Sequence, residues 1–97
     1  LTVTTGSGTL SATSTLYVEG AATNGTNNYA LWVDAGNSRF DAPVILGSYT
    51  VSTLPTGVVG MNAYVTDALT PTYLVAVVGG GSVVTPVFYN GSAWVAH

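Results

Sequence analysis

Four carboxylates carry most of the chemistry that this 97-residue chain could perform: Glu19, Asp34, Asp41 and Asp67. A glycosidase needs two carboxyl groups about 5–10 Å apart, and Glu19 and Asp34 occupy matching places in two similar stretches, residues 16–20 and 31–36. Each also follows an apolar run, where acidic side chains commonly accept hydrogen bonds from turn amides. The pattern favours turn or surface roles, with a catalytic pair or a cation site between copies as alternatives.

The only histidine, His97, would have to be the general base for any Ser or Thr nucleophile. It is the last residue of the sequence, a position that is commonly poorly ordered, and we interpret it as a terminal residue without a catalytic role. Cysteine is absent, which removes disulfides and thiolate ligands, and no acidic loop has calcium-binding spacing. We therefore expect no enzyme activity, no metal site and no cofactor.

Arg39 is the only cation, and it lies near Asp34 and Asp41 in the sequence. We predict an ion pair between Arg39 and one of these two acids, within or between subunits. A net charge of −3 with one cation leaves nothing to neutralise the phosphates of nucleic acid or an anionic membrane surface. No stretch reaches the ~18 apolar residues that a membrane helix needs. The partners predicted here include neither nucleic acid nor an inserted membrane.

Aromatic rings offer a better indication of binding, because they make up 10% of the chain and lie among Asn, Ser and Thr. Such rings can stack on sugars or fill protein interfaces. Tyr89 and Trp94 flank Asn90 and Gly91, a dipeptide that favours a two-residue type I′ hairpin turn. We predict Tyr89, Asn90 and Trp94 as ligand-binding residues at the end of that hairpin.

The elements that must position these residues are strands, since Gly and Pro interrupt short runs rich in Val and Thr throughout the chain. The predicted fold is all-β: a short-stranded β stem over residues 1–47, then a compact antiparallel β region over residues 48–97, with one continuous domain as the alternative. Pro86 suits an edge or a bulge, and the glycines at 79–81 suit a hairpin. The predicted strands cover residues 1–5, 9–14, 15–18, 29–33, 42–46, 61–66, 73–78 and 82–89.

Charged residues are only 5% of the chain, against about 25–35% on an ordinary protein surface. Hydrophobic residues reach 47%. A chain of this size buries a modest share of its surface alone, and association between copies can supply the missing core and cover sheet edges. The composition therefore favours an oligomer.

Residues 16–41, LYVEGAATNGTNNYALWVDAGNSRFD, resemble segments of phage tail-fibre and virion-fibre proteins. Four later stretches are similar to the C-terminal region of phage fibre and structural proteins: residues 54–60, 64–67, 79–81 and 87–94, the last with the sequence VFYNGSAW. The resemblance implies an intertwined homotrimer and a role in assembly. It also implies other virion proteins as partners, a distal region that contacts a host surface glycan or receptor, and a location in the virion after assembly in the host cytoplasm.

The leading functional hypothesis is therefore a structural phage virion protein that forms a trimeric fibre segment. Its main alternative is a monomeric carbohydrate-binding β-sandwich, which concentration-independent monomers that bind glycans would favour. A polysaccharide depolymerase that uses Glu19 and Asp34, or a trimerisation chaperone, is a further alternative. We expect charged replacements of Leu31 or Ile45 to abolish assembly, because both side chains would lie between chains.

Overall fold

A computed structural model describes residues 15–97. The predicted strands at 1–5 and 9–14 lie outside the described residues. The chain divides into two units, Leu1–Arg39 and Phe40–His97, and each is described by itself. Among residues 15–97 the first strand begins at Ser48, and the predicted boundary between residues 47 and 48 stays a prediction.

The described part of the first unit, residues 15–39, contains turns and extended chain but no strand or helix. A tight turn is closed where the Gly25 amide donates to Asn28 Oδ1 (2.8 Å) and Asn28 Nδ2 donates to the Gly25 carbonyl (2.9 Å). The runs at 15–18 and 29–33, and the run at 42–46 in the second unit, therefore form no strand within one chain. A stem whose strands pair between chains stays a prediction.

The second unit contains one four-stranded sheet in the order β1-β2-β3-β4. Its strands are β1 (Ser48–Tyr49), β2 (Asn62–Ala68), β3 (Val83–Tyr89) and β4 (Trp94–Ala96), and a short 3-10 helix spans Val51–Thr53. With strands and almost no helix, the described chain confirms the all-β class. The expectation of a purely antiparallel region is wrong, because β1 pairs with β2 in parallel. The connection over residues 50–61 is long enough for the crossover that parallel strands require.

The central pair, β2 and β3, is antiparallel, with Ala63 opposite Val87 and Val65 opposite Thr85. The register then shifts, so that Ala68 lies opposite Val83. This shift is typical of a β-bulge, which adds one residue to one strand and changes the face that later side chains occupy. Ala63, Val65 and Ala68 are consequently all buried, although simple alternation would place Ala68 on the other face.

The core is a small cluster beneath this pair, built from Ala63, Val65, Ala68 and Val87. Val65 and Val87 are the largest fully buried side chains of the described residues. Partly buried residues that surround the cluster come from the connections and the sheet margins: Tyr49, Val51, Leu54, Val77 and Trp94. The buried Thr85 hydroxyl donates to the Val83 carbonyl (3.1 Å), so its burial leaves no unpaired polar group.

The hairpin predicted at residues 79–81 is wrong, because residues 73–78, which would supply its first strand, do not form a regular strand. They make isolated bridges to β4, at Tyr73 with Ala96 and at Ala76 with Val95. Leu74 adopts φ 63°, a left-handed conformation that a bulky residue rarely adopts, and it interrupts the extended backbone there. The glycines lie at the end of a longer excursion, where the Gly81 amide donates to the Asp67 carbonyl (3.0 Å).

Pro86 lies on β3, which has neighbours on both sides, and so the expected edge position is wrong. Its carbonyl accepts a hydrogen bond from the His97 amide (2.9 Å), just beyond the end of β4. In an antiparallel ladder the N–H and C=O of one residue face the same neighbouring strand. The missing N–H of Pro86 therefore falls where the β3–β4 ladder ends, and this end position explains why proline is tolerated.

Candidate functional site

The β3–β4 hairpin brings together the three residues predicted to bind a ligand. Tyr89 lies opposite Trp94 in the ladder, and the Asn90 amide donates to the Ala93 carbonyl (3.1 Å). The centre of the turn is therefore Gly91 and Ser92, one residue later than the sequence predicted. Among these residues only Gly91 has a positive φ, 101°, so the type I′ turn centred on Asn90 and Gly91 is wrong.

The Asn90 side chain holds this turn closed. Its Oδ1 atom accepts hydrogen bonds from the Ser92 amide and the Ala93 amide, both at 2.9 Å. Asparagine is favoured at such positions because its side chain can bond the backbone two or three residues later. The side-chain Oδ1 atom of Asn90 is thus bonded within the protein, while the side-chain Nδ2 atom belongs to the exposed tip of the hairpin.

The Tyr89 and Trp94 rings pack edge to face, with centroids 5.4 Å apart and planes at 69°. The Trp94 Nε1–H donates to the Pro55 carbonyl (3.2 Å), and a Cβ atom on Gly57 would overlap the Tyr89 ring. The connection between β1 and β2 therefore covers both rings. Because both side chains are half-buried, the surface that they offer to a ligand is smaller than the sequence indicated, and their binding role stays a prediction.

Asp67 makes a hydrogen bond that connects two distant parts of the second unit. Its Oδ1 atom accepts a hydrogen bond from the Val51 amide (2.8 Å) at the start of the 3-10 helix. This contact joins the bulge of β2 to the chain that follows β1, and it fits the turn or surface role predicted for the acids.

The other predicted charged residues lie in exposed chain: Glu19, Asp34, Arg39 and Asp41. The proposed pairing of Arg39 with Asp34 or Asp41 stays a prediction, as does any approach of Glu19 to Asp34. In residues 15–97, no three side chains among His, Asp and Glu are grouped so as to hold a metal ion. Among the same residues, no helix is long and apolar enough to cross a membrane.

A concave surface in the first unit was not singled out by sequence reasoning. Tyr29, Leu31 and Trp32 line a notch of about 370 Å³. The Tyr29 and Trp32 rings meet edge to face, with centroids 5.2 Å apart and planes at 72°. The side chains remain 56%, 68% and 69% exposed in that order, and so no other part of residues 15–97 covers the notch. An aromatic residue three positions before Trp32 was the sequence signal that could have indicated it.

His97 contacts the sheet, which its position at the end of the sequence did not predict. Its amide donates to Pro86, and its ring lies 5.7 Å from the Tyr73 ring and 5.8 Å from the Phe88 ring. These contacts place the last residue against the sheet. The neighbours recorded for the His97 ring are therefore aromatic.

Comparisons with protein-family models, with curated proteins and with solved structures find no match for this chain.

Proposed function

We propose that this chain is a segment of a homotrimeric, β-structured fibre of a phage virion, with a mechanical role in assembly and projection. One observation carries the proposal: every residue from 15 to 48 is exposed in the single chain. Eleven of the 21 exposed large hydrophobic side chains of the described residues lie there: Leu16, Tyr17, Val18, Tyr29, Leu31, Trp32, Val33, Phe40, Val44, Ile45 and Leu46.

Exposure on this scale favours association. The eleven large hydrophobic side chains named above are between 41% and 93% exposed. Monomeric soluble proteins rarely leave apolar patches larger than a few hundred Å² uncovered. Burial against other copies would remove this surface from water and supply the core that residues 15–47 lack.

A fibre trimer accounts for the low charge and the irregular strands together. Three chains around one axis can bury Leu, Val and Ile side chains jointly, although each chain alone is too short of regular strands to form a thick core. Pairing between chains would also satisfy the backbone groups of segments, such as the run at 42–46, that have no partner strand among residues 15–97. The resemblance of residues 16–41 and 87–94 to phage fibres supports the virion assignment.

Attachment to a host surface glycan or receptor belongs to the proposal as a second role. The β3–β4 hairpin supports it, because Asn90 is exposed at the tip and the Tyr89 and Trp94 rings at the ends of the adjoining strands pack edge to face. We do not propose the monomeric carbohydrate-binding β-sandwich as a second candidate function. Such a fold needs two facing sheets, and residues 15–97 form a single one.

The oligomeric state is tested by light scattering after size exclusion, across a dilution series of the full chain. We expect a constant mass of three chains. A constant mass of one chain would overturn the proposal, because the apolar residues of 15–48 would then remain in water.

The virion assignment has its own test. An antibody raised against the full chain should label fibres on phage particles produced by the organism that carries the sequence, as seen by immunogold electron microscopy. Abundant particles without label, from cells that express the chain, would contradict the assignment even if the chain is a trimer.

A further inference from the structure

Two Asn-Gly dipeptides lie in exposed turns of the described chain, Asn24-Gly25 and Asn90-Gly91. In such a dipeptide the backbone nitrogen of glycine can attack the side-chain Cγ atom of asparagine and close a succinimide ring. Glycine favours this attack because it has no Cβ atom to hinder the close approach. Both dipeptides have nearly the same local sequence, since the next residue is a threonine in one and a serine in the other. Their hydrogen bonds, however, differ.

The attacking nitrogen of the first dipeptide is held in a hydrogen bond. The Gly25 amide donates to Asn28 Oδ1 (2.8 Å), and Asn28 Nδ2 donates back to the Gly25 carbonyl (2.9 Å). An amide must lose its proton before its nitrogen can attack, and a hydrogen-bonded amide gives up that proton only when the local structure opens. The turn therefore protects Asn24.

The second dipeptide has a free nucleophile and an activated carbonyl. Gly91 is exposed, and its N–H donates no hydrogen bond within residues 15–97. The Asn90 Oδ1 atom accepts from the Ser92 and Ala93 amides, both at 2.9 Å. Negative charge develops on this oxygen when the Gly91 nitrogen attacks, and donors at this distance stabilise it as an oxyanion hole does.

We infer that Asn90 is the preferred site of spontaneous deamidation in the folded chain, ahead of Asn24. The Gly91 nitrogen loses its proton to solvent and bonds to Asn90 Cγ, and the Cγ–Nδ2 bond breaks so that Nδ2 leaves as ammonia. Water then opens the succinimide. Addition of water at Cγ gives aspartate, whereas addition at the backbone carbonyl carbon gives isoaspartate.

Either product adds one negative charge to a chain whose net charge is −3. Aspartate keeps an acceptor for the Ser92 and Ala93 amides, whereas isoaspartate inserts one carbon into the backbone of the turn. The inference goes beyond the proposed fibre function and does not depend on it. It makes the charge of the hairpin tip, the surface proposed above for host contact, change as the protein ages.

The test follows deamidation of the full chain over time in neutral buffer. Arg39 is the only Lys or Arg, and so one tryptic cut places Asn24 in the fragment 1–39 and Asn90 in the fragment 40–97. Tandem mass spectrometry then identifies the asparagine that has reacted. We expect Asn90 to react about tenfold faster than Asn24, less than the ~10²–10³ of a water-excluded oxyanion hole because this turn is exposed. In guanidinium chloride, which removes the hydrogen bonds, the two rates should become similar.

Equal rates in the folded chain, or a faster reaction at Asn24, would overturn the inference. Asn28→Ala removes the acceptor of the Gly25 amide, and deamidation at Asn24 should then accelerate severalfold. Asn27→Ala, a change at the neighbouring exposed position, is the matched control and should leave that rate unchanged. If the two variants deamidate at Asn24 at the same rate, the hydrogen bond of Gly25 does not set the order of reaction and the inference is wrong. The mass of the assembly in solution, which tests the proposed trimer, is a separate result.

Discussion

Two regions of this chain differ in how far their side chains are buried within a single copy. Residues 15–47 are exposed at every position, including Leu31 and Ile45. Residues 48–97 form a sheet with its own core, in which Val65 and Val87 are almost completely buried. The composition differs as well: Val supplies 3 of the 33 residues in 15–47 and 11 of the 50 residues in 48–97, so strand-forming residues are concentrated in the sheet region. Within the described residues, only the extended runs of that region find a partner strand.

The sheet region finds its partners through register. β2 and β3 place Ala63 against Val87 and Val65 against Thr85, so that alternate side chains of both strands reach one face. The exposed region has short apolar runs at 16–18, 31–33 and 44–46 with turns between them and no pairing within the chain. Self-contained packing in one region and packing between copies in the other is the interpretation that the following variants test.

The largest effect is expected from a charge placed in the exposed region. Leu31→Asp or Ile45→Asp should abolish the trimer, because each copy would then bury an unpaired carboxylate, which costs several kcal/mol per site. Light scattering should give the mass of one chain, while far-ultraviolet circular dichroism retains the β signal of the sheet region. Ser38→Asp, which adds the same charge at an exposed polar position, is the control and should assemble normally. A trimer of unchanged stability in either variant would contradict the interpretation that residues 15–47 pack between copies.

A charge in the core of the sheet region should act on folding instead. Val65 is 0% exposed, and Val65→Asp should lower the free energy of unfolding by at least about 4 kcal/mol through a buried, unpaired charge. Val84→Asp provides the matched control, since Val84 lies on the adjacent strand and is 65% exposed. Urea denaturation followed by tryptophan fluorescence should separate the two variants. Equal loss of stability in the two variants would mean that exposure of a side chain in the single chain does not predict whether the position tolerates a charge.

A smaller effect is expected where the chain before β2 meets the hairpin. Gly57→Ala would place a Cβ atom against the Tyr89 ring, and overpacking of this kind costs about 1–3 kcal/mol. Gly47→Ala is the control, because a Cβ atom there has no neighbour within 4 Å. Thermal denaturation should show a lower midpoint for Gly57→Ala alone. An unchanged midpoint would indicate that the Tyr89 ring moves freely, as a ligand-binding ring could.

The smallest effect should come from the hairpin tip. Asn90→Ala removes the acceptor of two backbone amides, at a cost of about 1 kcal/mol, or a fall of ~4–8 °C in the melting midpoint. Asn90→Asp keeps the acceptor and should restore most of the loss, and Ser92→Ala on the same turn should be neutral. If Asn90→Ala leaves the midpoint unchanged but lowers affinity for host cells, Asn90 acts in binding and not in closing the turn.

Much of the sheet region was predictable where local signals were strong. The β3–β4 hairpin follows from a turn dipeptide between two aromatic runs, although its centre lies one residue later than expected because the Asn90 side chain bonds forward to the backbone. The pairing at residues 73–78 was wrong, since the left-handed Leu74 interrupts it. Nothing local marked Leu74, because its conformation depends on the contact with β4.

The sequence by itself determined the strand-forming character of the chain, its shortage of charge and the positions of most turns. These depend on the side chain of each residue and its immediate neighbours. Only the tertiary structure decided that β1 is parallel to β2, that a bulge keeps Ala68 in the core and that Asp67 holds the Val51 amide. The notch at Tyr29, Leu31 and Trp32 likewise appears only in three dimensions. Such features depend on register and on contacts between distant residues, for which many alternatives share the same local preferences.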